Sequence, residues 1–352
     1  MKKVFLLIAL ALGGSMAFAQ KFNKSELKQL QAFLAETSEK GTTNAQELKI
    51  TDTSNPSTWE GVKVDNGRVT EIKWKDKHLA GTLNLAGFTA LQTVDVSRNA
   101  LTAFDVKGAT SLTTVNVSRN KIAEIDLSNA SQLTDVSLNN NRLTNLALNN
   151  VPAIKNLNLS NNLFVELNLA GSPTLETVNV QGNHLEVLSV DNCTNLKNLY
   201  AGYNKLTNLT FSGVTNLTNL NIDDNQISNM IVSNLPSLST FVCSDNNMKT
   251  LGMRDCGALL DLVCSYNDLT ELSVSNCPKL TFVDCSYNDL TSLDLSNQSF
   301  LQRLLCNNNE LQTLDVSFDN ALTYINCRFN QIVDLRTMAC PNLTMVACQW
   351  NY

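Results

Sequence analysis

The sequence predicts a mainly β solenoid with a concave parallel sheet, extended convex limbs and a small helical N-terminal cap. Three observations carry that prediction. The phrase CSYNDLT stands at residues 264–270 and again at residues 285–291, 21 residues further on. A ruler set at Leu91 and stepped by 21 lands on Leu112, Leu133, Ile154, Leu175, Leu196, Leu217, Leu238, Leu259, Leu280, Leu301, Leu322 and Leu343, with no insertion or deletion. The ninth residue of every unit, from Asn99 and Asn120 to Asn330 and Asn351, is Asn without exception. Self-similarity at one fixed period is the mark of stacked coils, each too small to bury its own apolar face alone.

The chain opens MKKVFLLIALALGGSMAFAQ: two lysines, an apolar run, then Ala17 and Ala19 in a small-residue cleavage pattern. Residues 1–19 read as a secretory signal peptide cut after Ala19. The run is too short for a spanning helix, and no later stretch is apolar enough to be one. No cysteine follows the cut to take a lipid. The expectation is an exported protein that is extracellular, on a cell surface or in a periplasm. The net charge is −6, and the first 19 residues contain two of the lysines and no acid. With no basic stripe, nucleic acid is a poor partner.

Residues 20–68 form the N-terminal helix and cap. Asn23 to Glu36 reads as an amphipathic helix with Leu27, Leu30, Phe33 and Leu34 on one face. The segment WEGVKVDNGRVTEI follows at 59–72. The repeat array covers residues 69–352. Its first coil, 69–90, is irregular, one residue longer than the frame and with Lys77 where Asn belongs. Twelve 21-residue repeats fill 91–342, and a partial repeat occupies 343–352. The coils from Leu91 onward are numbered 1 to 13 below.

Each unit reads L-x-x-L-x-L-x-x-N-x-L-x-x-L-x-L followed by five looser residues. Positions 1, 4 and 6 point a short strand's apolar side chains inward, and positions 11, 14 and 16 repeat that spacing in the second half. Both limbs should therefore be extended. Position 9 turns the chain, and Asn suits it because its amide both donates to and accepts from backbone left unpaired by the turn. About six apolar side chains per coil, each contributing roughly 1.5–3 kcal/mol when buried, tie it to its neighbours.

The ten cysteines occupy two frame positions. Position 6 has Cys243, Cys264, Cys285, Cys306, Cys327 and Cys348 on successive coils, and position 19 has Cys193, Cys256, Cys277 and Cys340. Neighbouring strands lie about 4.8 Å apart, wider than the Cβ separation of about 3.8 Å that a disulfide needs. The position-6 set should therefore be buried free thiols acting as small hydrophobes. Cys256 and Cys277 sit on adjacent coils in a looser region, where a bridge stays open.

This grammar resembles the leucine-rich repeat family. Its 21-residue length with nested halves resembles the bacterial class called IRREKO, and the cysteine in CSYNDLT resembles the cysteine ladder of internalin J-like surface proteins. The resemblance implies a secreted or surface binding protein of bacteria. The Trp-x-Gly-Val segment at 59–62 resembles the cap of plant-type leucine-rich repeat receptors in shape, without their paired cysteines.

Catalysis finds no constellation. His78 and His184 have no positioned partner, the position-6 thiols point inward, and no phosphate loop, metal spacing or nucleophile elbow occurs. The expectation is a non-enzyme without cofactor or metal. Asp268, Asp289 and Glu310 at position 10, with Asp223, Asp224 and Asp245 near the strand ends, read as a solvated acidic edge, with Ca²⁺ the alternative.

Function should show where the frame demands nothing. Positions 3 and 5 point out of the concave sheet. In coils 1–7 they hold Thr, Asp, Asn or Ser, except for Tyr200; in coils 8–13 they include Val242, Val263, Phe282, Leu305, Tyr324, Met345 and Ala347. Tyr266, Tyr287, Phe329 and Trp350 at position 8 join them, with Arg303 and Arg328 among them. Apolar surface with aromatics and Arg marks an interface. A protein ligand, as for an adhesin or inhibitor, is the first expectation. A glycan stacked on the rings is the second, and a weak homodimer through the C-terminal coil is the third.

Overall fold

The computed structural model describes residues 22–148, 151–295 and 298–352, so the signal peptide at 1–19 lies outside the described residues. Asn23 caps helix α1 (Lys24–Ala35), its side chain accepting from the Ser25 and Glu26 amides. Leu30, Phe33 and Leu34 are buried, and Phe33 stacks on Trp74 with ring centroids 6.0 Å apart. Trp59 packs on the same indole at 6.5 Å. Both indole N–H groups are used: Trp59 donates to the Asp52 carbonyl and Trp74 to that of Glu60. Glu26, though buried, is matched by Arg68 at 2.7 Å and by the Val69 amide at 3.0 Å. Asn44 opens the short helix α2 (Asn44–Glu47) and bonds the Phe33 carbonyl and both backbone groups of Ala80. These contacts close the open end of the core.

Strand Val62–Asp65 pairs antiparallel with Arg68–Lys73, and from the latter the sheet runs parallel to Met345–Ala347, fifteen strands in all among the described residues. The register between coils is constant: Thr93 faces Thr114, Phe282 faces Arg303, Tyr324 faces Met345. A typical strand is three residues, positions 3 to 5, with the middle side chain buried and its neighbours half-buried. Among the described residues the convex limbs are extended without helix, but they pair only in places, such as Asn229–Ser233, Thr250–Arg254 and Glu271–Ser275. No helix among the described residues is long and apolar enough to cross a membrane.

The position-9 asparagines bind as their chemistry requires. The Asn267 amide donates to the carbonyl of Cys243 on the previous coil at 3.0 Å and to Cys264 and Ser265 on its own at 3.2 Å, while its oxygen accepts from the Met248 amide at 3.0 Å. Asn162 repeats the set with Leu138, Leu159, Ser160 and Leu143. In the irregular coil, Asn99 reaches back to the Lys77 and Leu79 amides, so the missing Asn at Lys77 leaves those groups satisfied.

The cysteine ladder needs one correction. All ten thiols are free, and Cys243, Cys264, Cys285, Cys306 and Cys327 are buried, but Cys348 is exposed. It sits on coil 13, whose face turned away from coil 12 is uncovered; Val346 is 36% exposed for the same reason. Burial pushes the ladder thiols up, Cys285 to about 12, so they carry no nucleophilic thiolate. Cys256 and Cys277, on adjacent coils, are buried free thiols that donate to the Arg254 and Ser275 carbonyls, each at 3.4 Å.

Candidate functional site

The chain turns through positive φ after every strand, at position 8. That backbone suits Gly, Asn and Asp, which fill it in six coils as Asn140, Asn161, Gly182, Asp224, Asp245 and Asn308. Five other coils place bulky rings there: Tyr203 (φ 56°), Tyr266 and Tyr287 (54°), Phe329 (53°) and Trp350 (64°). A left-handed conformation costs a residue with a Cβ about 1–2 kcal/mol, so folding does not ask for rings at this position. They are exposed, from 43% at Tyr287 to 73% at Trp350.

Four of these rings pair across coils. Tyr266 and Tyr287 stack with centroids 4.3 Å apart and planes 9° from parallel; Phe329 and Trp350 stack at 5.7 Å and 6°. A hydrogen bond with Tyr287 holds the Tyr266 phenol above its ordinary range, and burial, Tyr287, Asp245 and Asp284 add to the effect. Arg328, beside the second pair, is half-buried and its Nε donates to Gln349.

On the sheet itself, the constant register sets Phe282, Arg303, Tyr324 and Met345 in one row across coils 10 to 13. The row is about 15 Å long at the usual strand spacing. Arg303 lies between two rings, its Cζ 5.4 Å from the Phe282 centroid and 5.8 Å from that of Tyr324. Phe282 and Tyr324 are half-buried, while Met345 is 54% exposed. Val263 and Leu305, at position 5, are half-buried beside the row, but Ala347 is buried and adds nothing to the surface. The structure thus brings the row, Val263 and Leu305 onto one strand face. Tyr266, Tyr287, Arg328, Phe329 and Trp350 lie past the strands' C-terminal ends. Tyr203 of coil 6 occupies the same frame position as the other rings, but the coils around it hold Arg, Asn, Gly or Asp there, so the sequence pattern does not single it out.

The same face in coils 1–7 is a polar lattice. Asn156 donates to Asp135, Asn198 to Thr177 and Asn219 to Asn198, each across one coil step. Among the described residues no group of three or more His, Cys, Asp or Glu could hold a metal. His78 and His184 are both exposed. Asp223 is raised by burial, with Asp224 and Asp245 adding to the effect, and one of its oxygens lacks a hydrogen-bond partner.

No protein-family model and no curated protein matches the chain in sequence. Among solved structures, YopM from Yersinia pestis, a leucine-rich effector protein, is similar over 77% of this chain and 78% of its own, at 25% identity and a TM-score of 0.62. This chain is a leucine-rich repeat solenoid. A leucine-rich repeat protein of Leptospira interrogans is similar over 79% of this chain and 81% of its own, at 18% identity and a TM-score of 0.54. The functional domain of InlJ from Listeria monocytogenes, which includes a cysteine ladder, is similar over 83% and 71%, at 23% identity and a TM-score of 0.49. The concave sheet is one surface that packing leaves free, and here its two halves carry different chemistry.

Proposed function

We propose that this repeat array is an exported, non-enzymatic binding protein, adhesin- or internalin-like, that holds a protein ligand on the concave face of coils 9 to 13. The observation that carries this reading is the row Phe282–Arg303–Tyr324–Met345: large side chains on a face where the fold accepts Thr or Asn equally well. Aromatic residues and Arg in a contiguous exposed patch are the composition of binding hot spots. The stacked pairs Tyr266/Tyr287 and Phe329/Trp350 favour a glycan as the second reading, since sugar rings pack on such faces.

The test is capture of a ligand from bacterial and host extracts with residues 20–352, followed by affinity measurement on two double variants. Phe282→Ser with Tyr324→Ser should weaken binding about thirtyfold, the loss of about 2 kcal/mol typical of a truncated anchor. Thr114→Ala with Asn156→Ala, at the same frame position on the polar half, should leave affinity within about twofold. Equal losses from both pairs would reject the patch as the site. A glycan array reads the second ligand class directly, and light scattering reads self-association through coil 13.

A further inference from the structure

We infer that the ligand presents a carboxylate to Arg303, flanked by apolar side chains that cover Phe282, Tyr324 and Met345; this rests on the binding reading above. Arg303 is exposed and stands in the middle of the row, so any ligand that covers both flanking rings covers the guanidinium too. Among the described residues Arg303 forms no ion pair and its guanidinium makes no hydrogen bond; its contacts are the two rings. Arg68 and Arg336 are ion-paired, with Glu26 and Asp334; among the described residues several arginines lack an ion pair, and Arg303 is set apart by the ring on either side of it.

The acids on the strands before it, Asp284 and Asp261, make no ion pair with it. Asp284, beside Leu305, accepts from the Ser286 amide and hydroxyl at 3.0 and 2.6 Å. Asp261 pairs with Phe282 on its other side, so a ring stands between that acid and Arg303. Covering an unpaired guanidinium with purely apolar surface carries a heavy desolvation penalty. The ligand must therefore bring an acceptor. A carboxylate matches the fork of guanidinium donors with two parallel bonds, which a single carbonyl cannot do. With Asp284 one coil away and Asp261 two, a monoanion suits the site better than a phosphate dianion.

The rings do a second job in this arrangement. With one ring on either side, the side chain keeps little of its rotational freedom, so less ordering entropy remains to be lost when the ligand arrives. Lysine would keep the charge but lose both the stacking plane and the paired donors.

The experiment is selection of a random dodecapeptide display library on residues 20–352, in parallel with Arg303→Gln and with the Phe282→Ser/Tyr324→Ser pair. Selected peptides should be enriched in Asp or Glu next to aromatic or aliphatic residues. That acid enrichment should vanish on Arg303→Gln while the apolar preference persists. For the best peptide, replacing its acid by the amide should weaken binding to the native protein about tenfold to a hundredfold, and binding to Arg303→Gln less than about twofold. Selected peptides without acid preference that still lose binding on the double Ser variant would overturn the carboxylate and leave the binding face standing. Peptides indifferent to both variants would overturn the two readings together.

Discussion

Coils 1–7 and coils 8–13 share a period, a register and an asparagine ladder, yet differ at many of the positions the fold leaves free. The first group lines its concave face with Asn, Thr, Asp and Ser that bond one another, as Asn219 does with Asn198. The second lines it with Val263, Phe282, Arg303, Leu305, Tyr324 and Met345 and puts rings into left-handed turns. Two halves built to one structural rule act as each other's control. What they share is required for folding, and what separates them needs another explanation. The comparison extends inside the coil. Position 19 is Ala109, Ala130 and Val151 early in the array, but Gln298 and Asp319 late in it, both buried.

The largest effect tests whether the later half is packed as tightly as the earlier. A thiol reagent should modify Cys348 at once and Cys243, Cys264, Cys285, Cys306 and Cys327 more than about a thousandfold more slowly, since each must wait for an opening of several kcal/mol. Mass spectrometry over time gives the order; rapid loss of the whole ladder would mean coils 8–12 are loose and the two halves are not comparable.

Next in size is the asparagine ladder. Asn162→Ala in coil 4 and Asn267→Ala in coil 9 each remove an amide that serves four backbone groups. Each should destabilise by about 2–4 kcal/mol in urea unfolding. Sharply unequal costs would show that the halves do not share one folding rule.

Asp319 separates the halves by pH. Burial, reinforced by Asp315, pushes its carboxyl up to about 6. An unfolded aspartate titrates near about 3.9, so the folded state holds the proton more tightly. The resulting stability is present in full below about pH 4 and disappears as pH rises through about 6. Asp319→Asn should therefore be more stable than the native chain by about 1–2 kcal/mol at pH 7.5 and nearly equal to it at pH 4.5. Thermal melts at the two values decide this; a pH-independent difference would remove the carboxyl as its cause.

The smallest effect is the most pointed. Tyr266→Asn with Tyr287→Asn loses a ring stack but relieves two left-handed tyrosines, so the stability change should stay within about 1 kcal/mol. A larger loss would make the rings structural and weaken the contrast between the halves.

Much of this architecture is legible in the sequence because a period is a statement about neighbours. Once Leu91 and Leu112 share a frame position, every residue's partner on the next coil is known, and the row Phe282–Arg303–Tyr324–Met345 can be written down before any coordinates exist. The period is silent about what fills a shared row. It does not say that Arg303 slides between two rings, because that depends on a guanidinium being flat enough to fit a strand spacing. It does not say that position 8 has positive φ, since the Asn, Asp and Gly that would announce it are replaced by rings on the coils of most interest. Cys348 obeys the frame but not the burial, because burial is a property of a coil with neighbours on both sides. Gln298 and Asp319 occupy a position that tolerates Ala, Val, Ser and Cys, which conceals that it is a core position.

The asparagine bonds have a consequence for how such a chain can change length. Every position-9 Asn side chain reaches back one coil and forward none, and each coil receives the same attention from the Asn that follows it. Excising residues 264–284 would join Val263 to Cys285 and leave CSYNDLT standing in the same place, with every bond type intact. The repeated phrase is thus a seam at which coding sequence can be cut or doubled without disturbing the lattice. Each such edit moves Arg303 and the coils that follow it by one strand spacing, about 4.8 Å, relative to the cap. Reach, in this protein, is a quantity heredity can adjust in whole steps.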